Sequence, residues 1–286
     1  MASVVYLNGE FVDREQAAVS VADKGLLHGA GLFETMIARS GGLWRVAAHL
    51  RRLRQSAEAL HLPLPSGLDR LDGVALELLQ RNRLSDARLR LTLTAGPDPQ
   101  ADSDGPRPTL LLTAGEHRPY PGQLYARGMT VLIAGQHQDP SSPLTGHKTL
   151  CYLPRLLALR EAQQKACQEA LFFTPDRRLA EGCVSNVFLA KDGVLLTPPA
   201  STPVLAGITR QAVLELAGSL SIVTEQKPLS VNDLLEADEV FLTSVGLGVM
   251  PVCRIERHRV VDEQPGPIAA RISEALARLI EDETRG

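Results

Sequence analysis

Within 286 residues a handful of side chains have the type and setting that covalent and proton-transfer chemistry requires. Lys148 stands in LTGHKTLCYL, just before a Leu-rich helical pattern. Burial disfavours an ammonium ion, so a lysine at the entrance to a core is a candidate Schiff-base nucleophile; the plainer alternative is a solvated lysine at a helix start. Glu181, in AEGCVSNVF, lies among apolar residues beside Gly182, where a carboxylate either pairs with a protonated ring nitrogen or simply flanks a turn. Asn186 reads as a local turn hydrogen bonder. Gly207-Ile208-Thr209-Arg210 puts a hydroxyl at a helix start, where free N–H groups and the helix dipole attract phosphate, although N-capping by Thr209 fits too. Arg52, on a basic helix face with Arg51 and Arg54, suits a bidentate anion contact or plain solvation. Arg90 interrupts an apolar strand and suits a substrate carboxylate or a structural ion pair. The run His28–Thr35, HGAGLFET, is Gly-rich but is neither G-x-G-x-x-G nor a P-loop.

The elements that must carry these residues are legible from periodicity. Val4–Leu7 and Phe11–Val12 flank Asn8-Gly9, a strong hairpin signal. Phe33–Ala38 reads as a strand, followed by a Ser40-Gly41-Gly42 turn and a strand at Leu43–Val46. Apolar spacing predicts helices over Ala47–Leu60 and Leu68–Arg81. Arg88–Thr94 alternates strictly, with Leu89, Leu91 and Leu93 on one face and Arg88, Arg90, Thr92 and Thr94 on the other. Thr109–Ala114 continues the sheet after a Pro/Asp-rich loop at Gly96–Pro108. Glu116–Gln123, EHRPYPGQ, is the best linker. The second half reads as a strand at Met129–Ala134, a helix from about Leu150 to Ala166, strands and turns over Ala170–Thr197, a helix at Thr209–Ala217, strands at Val240–Thr243 and Val249–Ile255, and an amphipathic helix at Ile268–Glu283. Strands and helices mix without regular βαβ alternation, so the expected class is α+β.

Composition excludes several functions. Lys plus Arg is 30 against 33 acidic residues, a net charge of −3, which rules out a broadly basic nucleic-acid binder. No apolar run approaches the roughly 20 residues a membrane helix needs. MASVVYLNGEFVD lacks a signal-peptide core, so the expected compartment is cytoplasmic. Cys151, Cys167, Cys183 and Cys253 form no CxxC or Cys/His cluster, so reduced thiols and no metal are expected.

Taken in order, YLNGEFV, DKGLLHGAGLFETM, HLRRL, HKTLCYL, AEGCVSNVF, LLTPP, LAGITR and DEVFLTSVGLGVMPV resemble the fold-type IV pyridoxal-phosphate enzymes, the class IV aminotransferase family, from about Tyr6 to Val252. The resemblance implies a two-domain α+β fold: a small α/β N-terminal domain over residues 1–118 and a larger C-terminal domain over 119–286 with a barrel-like β core. It implies pyridoxal 5′-phosphate as cofactor, a small-molecule substrate and a homodimer. Lys148 matches the lysine that bonds the cofactor and later shuttles a proton. Glu181 matches the carboxylate that keeps the ring nitrogen protonated, so that the ring accepts electrons. Arg52, Ile208 and Thr209 match the phosphate-binding residues, and Ser244 lies in a segment that adds a further phosphate contact. Val245 stands where aminotransferases have a second hydroxyl. Tyr152 matches a residue that reaches the cofactor's phenolic oxygen, one position closer to the lysine than in branched-chain enzymes.

Within the family, Phe33-Glu34-Thr35, the strand ARLRLTLTAG and TSVGLGVMPV look most like 4-amino-4-deoxychorismate lyase, which eliminates pyruvate to leave 4-aminobenzoate for folate synthesis. On that likeness Lys148 is the general base, Thr35 a catalytic hydroxyl donor, and Arg90, Phe33 and His28 substrate-binding residues. His28 replaces the usual Tyr or Phe. The alternative within the family is a transaminase of D-amino or branched-chain amino acids, which shares the early steps and differs in where the proton returns.

Overall fold

Asn8 and Gly9 both have positive φ, 51° and 103°, as a two-residue hairpin turn between twisted strands requires. They join β1 (Val4–Leu7) to β2 (Glu10–Asp13). The computed structural model describes residues 3–98, 107–260 and 265–285, so most of the Pro/Asp-rich loop expected at Gly96–Pro108 lies outside the described residues. The contacts divide the chain into two compact units: residues up to Arg118 with His147–Tyr152 and Ile280–Gly286, and Pro119–Gly146 with Leu153–Leu279.

In the first unit a short helix, α1 (Lys24–His28), precedes β3 (Gly31–Arg39) and β4 (Gly42–Leu43). Helices α2 (Val46–Ala59) and α3 (Leu71–Asn82), then β5 (Ala87–Thr94) and β6 (Leu110–Glu116), follow. The sheet runs β2-β1-β6-β5-β3-β4, antiparallel throughout. Its core joins Leu32, Met36, Leu89, Leu91 and Leu93 to Leu50, Leu53, Leu78 and Leu79 of the helices. The alternation of β5 therefore reads true: the leucines are fully buried, while Arg88 is exposed and Arg90 and Thr92 are half-buried. Thr94 departs from that pattern: it is buried, and its hydroxyl donates to Asp23 at 2.8 Å. The strand expected at Leu43–Val46 stops at Leu43, because Arg45 takes a left-handed φ of 50° and Val46 opens a helix. The helix expected over Leu68–Arg81 begins with a 3-10 turn at Leu68–Arg70.

The segment carrying Lys148 extends this sheet. Phe33 N–H donates to the Lys148 carbonyl at 2.9 Å, Leu150 N–H donates to Gly31 O at 2.9 Å, and Thr149 bridges Leu32. A Cβ on Gly31 would run into Leu93 O and stand 2.7 Å from Leu150 Cδ1, so only glycine admits this approach. The helix expected from Leu150 consequently begins at Leu153, once the pairing ends and Pro154 can occupy a first turn.

The second unit holds α4 (Gly122–Arg127), β7 (Met129–His137), α5 (Leu153–Gln164), β8 (Glu169–Phe173), β9 (Leu179–Gly182), β10 (Asn186–Lys191) and β11 (Val194–Thr197). There follow α6 (Ile208–Ser219), β12 (Thr224–Gln226), α7 (Val231–Leu235), β13 (Glu239–Ser244), β14 (Gly248–Ile255), β15 (His258–Arg259) and α8 (Pro267–Thr284). The sheet order is β12-β11-β10-β13-β14-β7-β8-β9, with β15 on β14. Pairs β7–β8, β7–β14 and β11–β12 are parallel and the rest antiparallel. β9 closes one end of this path and β10 lies near the other, yet only residues 183–185 join them. A linker that short spans about 14 Å at most, so the sheet curls into a half-barrel around Val131, Leu171, Val187, Leu189, Leu242 and Met250. Among the described residues no helix is long and apolar enough to cross a membrane.

Candidate active site

Strand alternation sorts the first unit's candidates onto two faces of β3. Phe33 and Thr35 lie on the face opposite Leu32, Glu34 and Met36. Around the Phe33 ring gather Lys148, whose Nζ is 4.5 Å from the centroid, Arg90, whose Cζ is 3.9 Å from it, and Tyr152, edge-on at 5.3 Å and 78°. Thr35 is paired directly with Arg90 across the strands. Partial burial, and then the neighbouring Arg88 charge, lower the Arg90 guanidinium pKa. Among the described residues no carboxylate forms an ion pair with Arg90, so of the two sequence readings the structural ion pair finds no partner there. His28 is exposed in the last turn of α1, and its backbone carbonyl faces Cys151 Sγ.

Behind that face is a charged knot absent from the sequence reading. Glu34 is buried and receives Arg52 Nε at 2.7 Å and Nη2 at 2.5 Å, a two-pronged pair, while His49 Nδ1 lies 2.8 Å from Glu34 Oε2. Burial alone would raise the Glu34 pKa, but the hydrogen bonds and charges of His49 and Arg52 outweigh it and hold the group at about 2. Burial drives the His49 pKa down against the pull of Glu34, with Arg52 and Lys148 adding to the depression. Facing a carboxylate, Nδ1 is the ring nitrogen that donates to Glu34. The ring's buried Nε2 has no hydrogen-bond partner among the described residues. Arg52, expected at a phosphate, thus has its guanidinium plane fixed by Glu34.

The second unit presents another buried carboxylate. Glu181 accepts Arg155 Nη2 at 2.5 Å, the Leu205 N–H at 2.8 Å, Gln138 Nε2 at 3.1 Å and Asn186 Nδ2 at 3.4 Å. Asn186 also donates to Leu205 O at 2.9 Å, and a Cβ on Gly207 would collide with its amide oxygen. Glycine is thus required where the chain enters α6. The helix start has no side-chain cap, and Thr209 is buried with no partner for Oγ1 among the described residues. Thr209 therefore does not cap the helix. An orphaned hydroxyl beside unsatisfied N–H groups fits the phosphate of the cofactor that the sequence implies. The Ser244 hydroxyl instead accepts the Leu247 N–H at 3.2 Å, and the adjacent Thr243 is, like Thr209, a buried threonine whose Oγ1 lacks a partner among the described residues.

Sequence reasoning missed Glu34, His49, Gln138, Arg155 and Thr243. Glu34 carried a signal: alternation puts it with Leu32 and Met36 on the covered face, where a carboxylate must find charged partners. Arg155 and Gln138 carried none, because their partner lies 26 and 43 residues away.

The model of the class IV amino-transferase family matches residues 31–255. A Methanocaldococcus jannaschii protein assigned by name to the branched-chain-amino-acid aminotransferases is 35% identical over 94% of each chain. The Bacillus licheniformis D-alanine aminotransferase is 31% identical over 98% of each. The solved structure of a hypothetical aminotransferase from Mycobacterium tuberculosis, in its PLP-bound form, superposes with a TM-score of 0.85 at 27% identity, covering 98% of this chain and 99% of that one.

Proposed function

The chain belongs to the class IV aminotransferase family and has its fold-type IV architecture, and from that premise we propose that it is an amino-acid transaminase of the D-amino or branched-chain type. The observation that carries this reading is identity to transaminases over nearly the full length of both chains. It favours the alternative over the lyase to which the sequence motifs pointed.

Its cofactor is pyridoxal 5′-phosphate. When bound, that group supplies a carbonyl for the substrate amine and a ring that takes up the electron pair released at the amine-bearing carbon. Lys148 is the residue whose Nζ would hold the cofactor at rest, and the same amine, when free, would be the base that moves the proton at that carbon. Phe33, packed under the amine, limits its travel and keeps water from that side. Glu181 holds the proton of the ring nitrogen, and its four donors fix the carboxylate's direction. Arg52, held in plane by Glu34, and the Ile208 and Thr209 amides with the Thr209 hydroxyl bind the phosphate. Ser244 gives its backbone to that contact, and Tyr152 serves the phenolic oxygen. Arg90 receives a substrate carboxylate, and His28 borders the substrate. We place the enzyme in the cytoplasm as a homodimer.

One observation keeps the lyase as a second reading: Thr35 is half-buried directly opposite Arg90, where a hydroxyl can protonate a departing group. The test is a panel of D-alanine, L-leucine, L-valine and L-isoleucine with 2-oxoglutarate, run beside aminodeoxychorismate. Glutamate formation from one of the amino acids, abolished in Lys148→Ala, is the expected result. Equal release of 4-aminobenzoate and pyruvate without amino transfer would overturn the transaminase in favour of the lyase.

A further inference from the structure

The turn between Glu181 and Asn186 is gripped from two sides, by the carboxyl of Glu169 and the guanidinium of Arg155. Its hydrogen-bond donors converge on Glu169, the first residue of β8. Glu169 Oε1 accepts the Cys183 N–H at 3.1 Å and its neighbour Ala170's N–H at 3.0 Å. Oε2 accepts the Val184 N–H at 3.3 Å and the Ser185 hydroxyl at 3.1 Å. The turn's carbonyls face Arg155, whose Nη1 donates to Gly182 O at 2.9 Å and Cys183 O at 3.3 Å while Nη2 donates to Glu181. Glu169 is 2% exposed, so these contacts stand in place of water. A Cβ on Gly182 would run into the Ser185 hydroxyl and stand 3.2 Å from the Glu169 carboxyl, which leaves glycine as the residue that admits the grip. Cys183 takes no part as a nucleophile, because burial and the Glu169 charge push its thiol pKa far up.

We propose that Glu169 is a positioning residue for the cofactor ring. By fixing residues 183–185 it sets the direction of the Glu181 carboxylate before the turn and of the Asn186 amide after it. The proposal rests on the cofactor role given above to Glu181. It goes beyond that role in assigning a function to a buried acid whose hydrogen bonds go to the turn and to its own strand. Glutamate is needed here because all the turn's contacts with it are donors. Glutamine would present an amide N–H₂ to one pair of them, and that side of the turn would swing away.

The test is Glu169→Gln beside Glu181→Gln, in the cofactor-loaded protein. Cofactor affinity is measured by fluorescence titration, and the visible cofactor band is titrated against pH. Glu169→Gln is expected to weaken cofactor binding about tenfold. It should also move the midpoint of the visible band upward. A ring nitrogen held less firmly in its protonated form withdraws less charge from the lysine–cofactor linkage, which then keeps its proton to higher pH. Glu181→Gln should move the midpoint the same way and further. A folded Glu169→Gln with wild-type affinity and midpoint, beside a shifted Glu181→Gln, would overturn the positioning role alone and leave Glu169 a structural prop. An unmoved Glu181→Gln would overturn both the Glu181 reading and this one. If Glu169→Gln does not fold, Ser185→Ala, which removes one donor and no charge, decides: an upward midpoint supports the grip and an unchanged one refutes it.

Discussion

Glu34 and Glu181 are both buried carboxylates, one in each unit, and their partners differ in kind. Glu34 sits mid-strand beneath α2, and its oxygens are committed to a two-pronged arginine and an imidazole from that covering helix. Glu181 sits one residue from the end of β9 and draws one arginine, one backbone N–H and two side-chain amides from four separate segments. Three of those four donors are neutral. Each carboxylate has one arginine; Glu34 is closed off by a two-pronged arginine and an imidazole from a single covering helix, whereas three neutral donors from separate segments share Glu181 with Arg155 and set its direction. On the proposed reading, that difference separates a group that shapes the site from a group that acts in it. Glu169 is a third case, a carboxylate whose partners all belong to its own unit's backbone and turn.

Substitutions can break this contrast. The largest effect belongs to Glu181→Gln, which should cut turnover about 10³-fold, about 4 kcal/mol of barrier. Steady-state kinetics with the best amino donor would show it. Glu34→Gln should act on stability instead, costing about 3 kcal/mol through the stranded Arg52 and His49, with turnover of the folded protein falling less than about tenfold. Urea unfolding of the two variants checks the split, and a Glu34→Gln that unfolds like wild type would erase it.

The same knot predicts a pH dependence. The Glu34 pKa in the folded protein, about 2, lies below its ordinary 4.5. Its contribution is therefore present in full above the ordinary value and is lost as pH falls from there toward about 2. Stability measured across that window should fall in the wild type more steeply than in Glu34→Gln. A smaller effect is expected from Arg90→Met: a KM for the carboxylate-bearing substrate raised about 10- to 100-fold, with the melting temperature nearly unchanged, since no described carboxylate depends on Arg90.

How far sequence could reach follows the same line. Local signals placed the Asn8-Gly9 hairpin, the alternation of β5 and the helix after Gly207, because each is written in adjacent residues. Motif order placed Lys148, Arg52, Glu181 and Thr209 within recognisable surroundings. The helix start at Leu153 was lost because the pairing of Thr149 with Leu32 joins residues far apart in the chain. The grip of Arg155 and Glu169 on the 183–185 turn was invisible for the same reason, as was the choice between Ser244 and Thr243 as the unpartnered hydroxyl. The lyase-like motifs around Thr35 and Val245 lie in short segments, and identity over the whole chain outweighs them.

The most direct test of the central claim is a single half-reaction. Wild type, Glu34→Gln and Glu181→Gln, each loaded with pyridoxal phosphate, receive one equivalent of an amino-acid donor and no acceptor, and the oxo acid released is followed against the loss of the visible cofactor band. Stoichiometric oxo acid from wild type, nearly the same rate from Glu34→Gln below its melting temperature, and a rate at least about 100-fold slower from Glu181→Gln is the expected result. Loss of the rate in folded Glu34→Gln with Glu181→Gln unaffected, or no oxo acid from wild type with any donor, would contradict it.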